Sequence, residues 1–245
     1  MKRKITMSEI LDFIKQKYQM VLRAEIVNLL PLDKPIEQPV TKFGGQPNWL
    51  ETPEWPISKQ LGEPMRFIGQ ILLTDDLFPN LGGKMAYIFM TDDETGSLET
   101  WNAWAGENAV IIQPGGDNTK QTRPIATGPT VSTKKANIEY AVELLVSEEP
   151  PEEVEEEYEM MGDLYEKISE FEDFELEHFW RANKIGGIPA FIQQDELNFF
   201  EPEHQWLLIL QLSDYQPFDL NFGDGTGYAF INQSGTLGRF FWQCT

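Results

Sequence analysis

"TKFGGQPNWLETPEWP", Thr41–Pro56, carries the pattern Lys-x-Gly-Gly-x-Pro-x-aromatic, and "NKIGGIPAFIQ", Asn183–Gln193, spells it a second time. With Lys42 set over Lys184, Gly44, Gly45 and Pro47 fall on Gly186, Gly187 and Pro189, and Trp49 falls on Phe191. Downstream, "FIGQI" (Phe67–Ile71) matches "LILQL" (Leu208–Leu212), which places Gln70 on Gln211. Lysine to glutamine spans 28 residues in the first copy and 27 in the second; glutamine to tyrosine, Gln70–Tyr87 and Gln211–Tyr228, spans 17 in both. Phe89 and Phe230 follow the tyrosines by two places, and Gly82 aligns with Gly223. Landmarks at preserved offsets imply an internal duplication, with units at about 41–90 and 183–231. Two copies with so long a period do not make a solenoid. They are expected to form halves of one pseudo-symmetric domain spanning 1–245.

The residue types in the motif suggest what it does. Adjacent glycines reach positive φ or let two backbones come close, and a proline two places on stiffens the exit. The aromatic then lies as a plug over neighbouring backbone. Gln70 and Gln211 sit inside apolar strands, where an unbonded amide costs about 1–3 kcal/mol, so something must bond them. Two readings stand. The corners are packed turns whose own backbone satisfies the glutamines, or they wall a groove for an extended peptide. On the second reading the partner-binding residues are Lys42, Gly44, Gly45, Pro47, Trp49, Trp55 and Gln70, with Lys184, Gly186, Gly187, Pro189, Phe191, Trp206 and Gln211.

Around the repeat, Thr6 and Glu9 form a capping box. Ile10, Phe13, Ile14, Tyr18 and Val21 then mark one apolar helical stripe. "AEIVNLLP" reads as a strand ended by Pro31. "MRFIGQILL", "MAYIFM", "NAVIIQP", "WLLILQL", "GYAFI" and "GRFFWQC" read as further strands. "NFGDGTG" signals a hairpin between the fourth and fifth of these, and Gly115–Thr133 reads as loop. Val154, Tyr158, Met161, Tyr165, Ile168 and Phe171 predict an acidic helix between the two units. The expected class is α+β: a β-rich domain with an N-terminal helix and that acidic helix.

Charge narrows the partners. The 245 residues carry a net −21, which disfavours nucleic acid. Ser147–Trp180 holds 15 acids against the single base Lys167. Such a run either steers a basic partner or is a solvated face. The one cysteine, Cys244, excludes an internal disulfide and a cysteine-rich zinc site. No apolar run approaches 18 residues and no leader pattern follows the basic start, so the chain reads as cytoplasmic.

The motifs "KFGGQPNWLETPEWP", "PMRFIGQILL", "KIGGIPAFIQ", "LLILQL", "FGDGTGYAFI" and "FFWQC", in that order, resemble the bacterial YwqG-like family of unknown function. That resemblance covers about Thr41–Cys244 and implies a duplicated, β-rich α+β fold. Relatives found beside secreted toxins imply an immunity role. More distantly, "KFGGQPNWL" and "FIGQILL" resemble the programmed-cell-death-2 chaperones of a ribosomal protein. Members of that family can carry cysteine-rich zinc elements, and this chain has none.

Chemistry leaves little trace. His178 and His204 lack metal-ligand spacing, and "FGDGTG" lacks the helix and Gly-Lys-Ser/Thr of a phosphate loop. No Gly-x-Ser-x-Gly occurs. With no cofactor or metal implied, the leading expectation is a monomeric protein-binding module for a basic partner, chaperone-like or toxin-neutralising. The alternative is an enzyme acting on a small molecule between the repeats through carboxylates.

Overall fold

The computed structural model describes residues 7–93, 96–117, 120–131, 138–154, 157, 179–193, 195, 197, 200–214 and 216–245. The described residues form helix α1 (Met7–Lys17) and twelve strands. These are β1 (Val21–Leu32), β2 (Lys42–Gly44), β3 (Trp55–Pro56), β4 (Arg66–Leu72), β5 (Met85–Met90), β6 (Asn108–Gln113), β7 (Thr122–Arg123), β8 (Glu139–Glu149), β9 (Lys184–Gly186), β10 (Trp206–Ser213), β11 (Thr226–Asn232) and β12 (Gly238–Gln243).

Ten strands make one sheet in the order β12-β11-β10-β9-β1-β8-β2-β4-β5-β6, while β3 and β7 pair separately. The order mirrors itself about β1 and β8. On one side β2, β4, β5 and β6 follow one another, and on the other β9, β10, β11 and β12. Units 41–90 and 183–231 thus supply β2, β4 and β5 to one half-sheet and β9, β10 and β11 to the other; β6 and β12, beyond those bounds, complete four strands on each side, and a long antiparallel ribbon, β1–β8, joins the halves. Even the irregularities match: β4–β5 shifts register between Phe67 and Gly69, and β10–β11 between Leu208 and Leu210. The far edges meet, since a Cβ on Gly238 of β12 would lie 2.5 Å from Val110 Cβ of β6. The sheet is thus a nearly closed barrel whose interior is the main core, including Phe43, Ile71, Ile88, Ile209, Leu212 and Phe240. Two further clusters cover the outer faces of the half-sheets, one around Trp55, Tyr87 and Phe89 and one around Phe200, Tyr228 and Phe230. Helix α1 packs Ile10 and Ile14 against Val154, Phe179 and Trp180.

This architecture corrects the expected α+β class: the molecule is mostly β. Between the units the described chain supplies β6, β7 and β8, and the acidic helix expected through Phe171 falls mostly on residues outside those described. The 11-residue β8 went unpredicted, although "EYAVELLVSEE" forms the centre of the sheet. Val21 starts β1 instead of closing the helical stripe. Pro31 does not end β1 but pairs with Tyr140. Proline is tolerated there because β9 covers β1 only at Arg23–Glu25, so Pro31 has a ladder neighbour on one side alone. The strand pair β10–β11 forms across "NFGDGTG", with Gly223 and Asp224 at φ 65° and 59°.

No described helix is long and apolar enough to cross a membrane.

Candidate functional site

The Gly-Gly corners follow β2 and β9. Gly44 and Gly45 have φ of 66° and 65°, and Gly186 and Gly187 have 72° and 80°, a region where L side chains are strained. Space forbids a side chain too. A Cβ on Gly45 would lie 2.0 Å from Glu139 Oε2, and one on Gly187 would lie 2.1 Å from Glu149 Oε1. The second glycine of each pair therefore makes room for a buried carboxylate.

Those carboxylates are the ends of β8, and each holds a motif lysine. Lys42, 1% exposed, sits 3.1 Å from Glu139 Oε1. Lys184, fully buried, sits 2.8 Å from both oxygens of Glu149 and also donates to Ile188 O. Burial lowers the pKa of both lysines against the opposing pull of their carboxylates, Lys184 to about 8. The glutamines stitch the corners down. Gln70 Oε1 accepts from Asn48 N at 2.8 Å, while its amide donates to Val40 O at 2.8 Å. Gln211 Oε1 accepts from Ala190 N at 2.8 Å, and its amide donates to Trp180 O and Ala182 O. Tyr87 OH donates to Asn48 O and Tyr228 OH to Ala190 O. Burial raises both phenols well above the usual range, leaving them neutral donors.

The aromatics lie on the half-sheets as expected of plugs. Trp49 rests on Tyr87 with ring centres 4.6 Å apart, and Phe191 rests on Tyr228 at 5.3 Å. Trp55 is wholly buried and donates to Met65 O. Pro47 is buried, whereas Pro189 stays half-buried. Trp206 is half-buried between Phe200 and the Arg239 guanidinium. So Lys42, Gln70, Lys184, Gln211 and Trp55 spend their polar groups inside the fold. Trp49, Gly187, Pro189, Phe191 and Trp206 remain partly open.

Sequence reasoning passed over a further matching landmark. Gln113 ends β6 and accepts from Glu51 N, while Gln243 ends β12 and accepts from Ile192 N and Gln193 N. Each thus ties the far edge of its half-sheet to its own corner. The signal was an apolar strand ending in glutamine, "NAVIIQ" and "RFFWQ", but Tyr87 to Gln113 is 26 residues and Tyr228 to Gln243 only 15. Unequal spacing hid it. Glu139 and Glu149 were missed because β8 lies outside both repeats.

A large open feature lies at the pseudo-symmetry axis. Among the described residues the β1–β8 ribbon has no neighbouring strand beyond the short β2 and β9, and Leu22, Leu30, Leu144, Leu145 and Val146 are exposed on it, the last two at 56% and 62%. One face of the ribbon forms, with Leu72, Leu77 and Ile185, a cavity of 580 Å³ lined mainly by aliphatic side chains. A smaller cavity of 340 Å³ adjoins it beside Gly186, sharing Leu22 and Leu77. Among the described residues no group of three or more His, Cys, Asp or Glu is placed to hold a metal. No curated protein matches the chain. Residues 41–243 match the family described as Domain of unknown function (DUF1963), and the chain belongs to it.

Proposed function

We propose that this DUF1963 chain is a cytoplasmic protein-binding module, monomeric, chaperone-like or toxin-neutralising, for a basic partner with an apolar anchoring segment. The observation that carries this reading is the exposed aliphatic ribbon of β1 and β8 on a chain of net charge −21. Apolar surface of that kind is uncommon on a free protein and marks interaction sites. Charge decides among occupants. A second copy brings another −21, and anionic lipid is repelled in the same way, whereas Glu143 on β8 and Asp76 on the ribbon cavity complement lysine and arginine. The acidic run contributes only in part, because Glu149 is consumed by Lys184 and Arg23, and Glu148 pairs with Lys15. The resemblance to YwqG-like and programmed-cell-death-2 proteins supports the same class.

The test is capture from native cells at low and moderate salt, with Leu145→Lys/Val146→Lys in parallel. Both positions are exposed, so the variant retains the fold. The expected result is one stoichiometric basic protein, weakened by salt and lost from the variant. Recovery of none, or of a partner the variant retains equally, would overturn the proposal.

A further inference from the structure

The two halves differ at one position along the barrel wall. Strand β2 is only three residues long, so beyond Gly44 a gap opens between β4 and β8. In the first half the chain fills this gap itself. Pro129–Val131 runs parallel to β4 beside Phe67, with Phe67 N donating to Pro129 O at 2.8 Å and Val131 N donating to Phe67 O at 3.0 Å. Val131 is fully buried, 3.7 Å from where a Cβ on Gly44 would stand. In the second half Leu208 holds the place of Phe67, three residues before Gln211 as Phe67 is before Gln70, with the same register shift following it. Among the described residues no segment lies beside Leu208 as Pro129–Val131 lies beside Phe67. The 340 Å³ cavity is there instead, bounded by Val21 and Leu22 of β1 and by Trp206, Leu207 and Leu208 of β10. A Cβ on Gly186 would meet Leu22 O at 3.6 Å and the Leu77 and Phe78 side chains at 3.7 and 3.8 Å, against Ile138 O at 2.3 Å and Val131 at 3.7 Å for Gly44, so the second corner is looser against backbone.

We infer that this gap is a strand-addition slot for an extended peptide segment of the partner, running parallel to β10 and placing an aliphatic side chain in the adjoining cavity, against Leu77 and Phe78. Recognition of this kind uses main-chain hydrogen bonds for affinity and a side-chain pocket for selection. Leu208 N–H and C=O supply the first, and the cavity beside Gly186 supplies the second. The inference rests on the protein-binding reading and gives it a mode and a place.

The probe is the chain's own sequence 126–131, Ala-Thr-Gly-Pro-Thr-Val, with two lysines added at each end, titrated into the ¹⁵N-labelled full chain. Before addition, the Leu208 amide should exchange with solvent faster than that of Phe67, and the peptide should slow it. Saturable shifts should appear at Val21, Leu22, Gly186 and Leu208. Leu22→Lys, at an exposed position, and a peptide with the Val131→Asp change should each weaken binding by about tenfold or more. A Leu208 amide already as protected as Phe67, no saturation by about 1 mM, or shifts unaffected by Leu22→Lys would each overturn the slot. Partner capture that survives Leu22→Lys but fails in Leu145→Lys/Val146→Lys would remove the slot and leave the ribbon reading standing.

Discussion

The first corner is packed hard against backbone and the second more loosely, although the motif that builds them is the same. At Gly44 the backbone of Ile138 approaches to 2.3 Å of a notional Cβ, and Val131 fills what remains. At Gly186 the nearest atom is 3.6 Å away. The buried carboxylates differ in origin as well. Glu139 is the cross-strand neighbour of Gly44, whereas the neighbour of Gly186 is Arg23, and Glu149 comes in from the opposite end of β8. Glu149 consequently holds two cations, Lys184 and Arg23, where Glu139 holds Lys42 and accepts from Ile36 N. The two corners thus share the glycine pair and the glutamine stitch. Unduplicated segments decided what each corner is packed against, and therefore which half keeps a vacancy.

Removing the motif lysines should expose this difference most strongly. Lys42→Met leaves Glu139 buried with no cation, a situation that costs about 3–5 kcal/mol. Lys184→Met leaves Glu149 still paired to Arg23 at 2.8 Å, so the loss should be nearer the about 1.5–3 kcal/mol of a charged hydrogen bond. Chemical denaturation of the two variants checks the ranking, and equal losses would mean that Arg23 contributes nothing to holding Glu149. Adding Arg23→Met to Lys184→Met should then bring the second corner to the cost of the first.

Alanine at the first glycine of each pair separates strain from space. Both positions have positive φ, so Gly44→Ala and Gly186→Ala each carry about 1–2 kcal/mol of left-handed strain. Only Gly44→Ala also drives a methyl into the Ile138 carbonyl and displaces backbone, so it should cost at least about 1 kcal/mol more than its counterpart. Thermal unfolding of the pair measures that gap directly. A gap near zero would say that the wall at Gly44 yields easily and that the corners are equally loose.

What could be read in advance was what the duplication repeats. Lys42 and Lys184, the glycine pairs, Gln70 and Gln211, and Tyr87 and Tyr228 all occupy matching places, because the same local backbone needs the same residues. The strands carrying them were also legible, each being a short apolar run bounded by turn residues. The closing glutamines Gln113 and Gln243 were hidden by loops of unequal length. Strand β8 was hidden by its own pattern, since "EYAVELLVSEE" mixes glutamates with an apolar stretch that is only half covered in the fold. Its burial depends on β1 and β2, which come from far away in sequence, so no local window contains the reason it is a strand. With β8 went the two glutamates that anchor the corners, and with them the account of why the lysines are buried.

The smallest expected difference is one of pH. Burial lowers the pKa of Lys184 to about 8 from the ordinary 10.5, while Glu149 holds it back from falling further. Between those values the unfolded chain binds the proton that the folded chain has released, so stability rises with pH across the window. From pH 7 to 9 the contribution is about 1 kcal/mol. The comparison that isolates it is wild type against Lys184→Met, with stability measured at steps through that range. The difference should shift in favour of the wild type as pH climbs past 8. A flat difference would mean that Lys184 stays protonated well above 8, with the Glu149 pair outweighing desolvation, and the second corner would then be electrostatically as tight as its packing is loose.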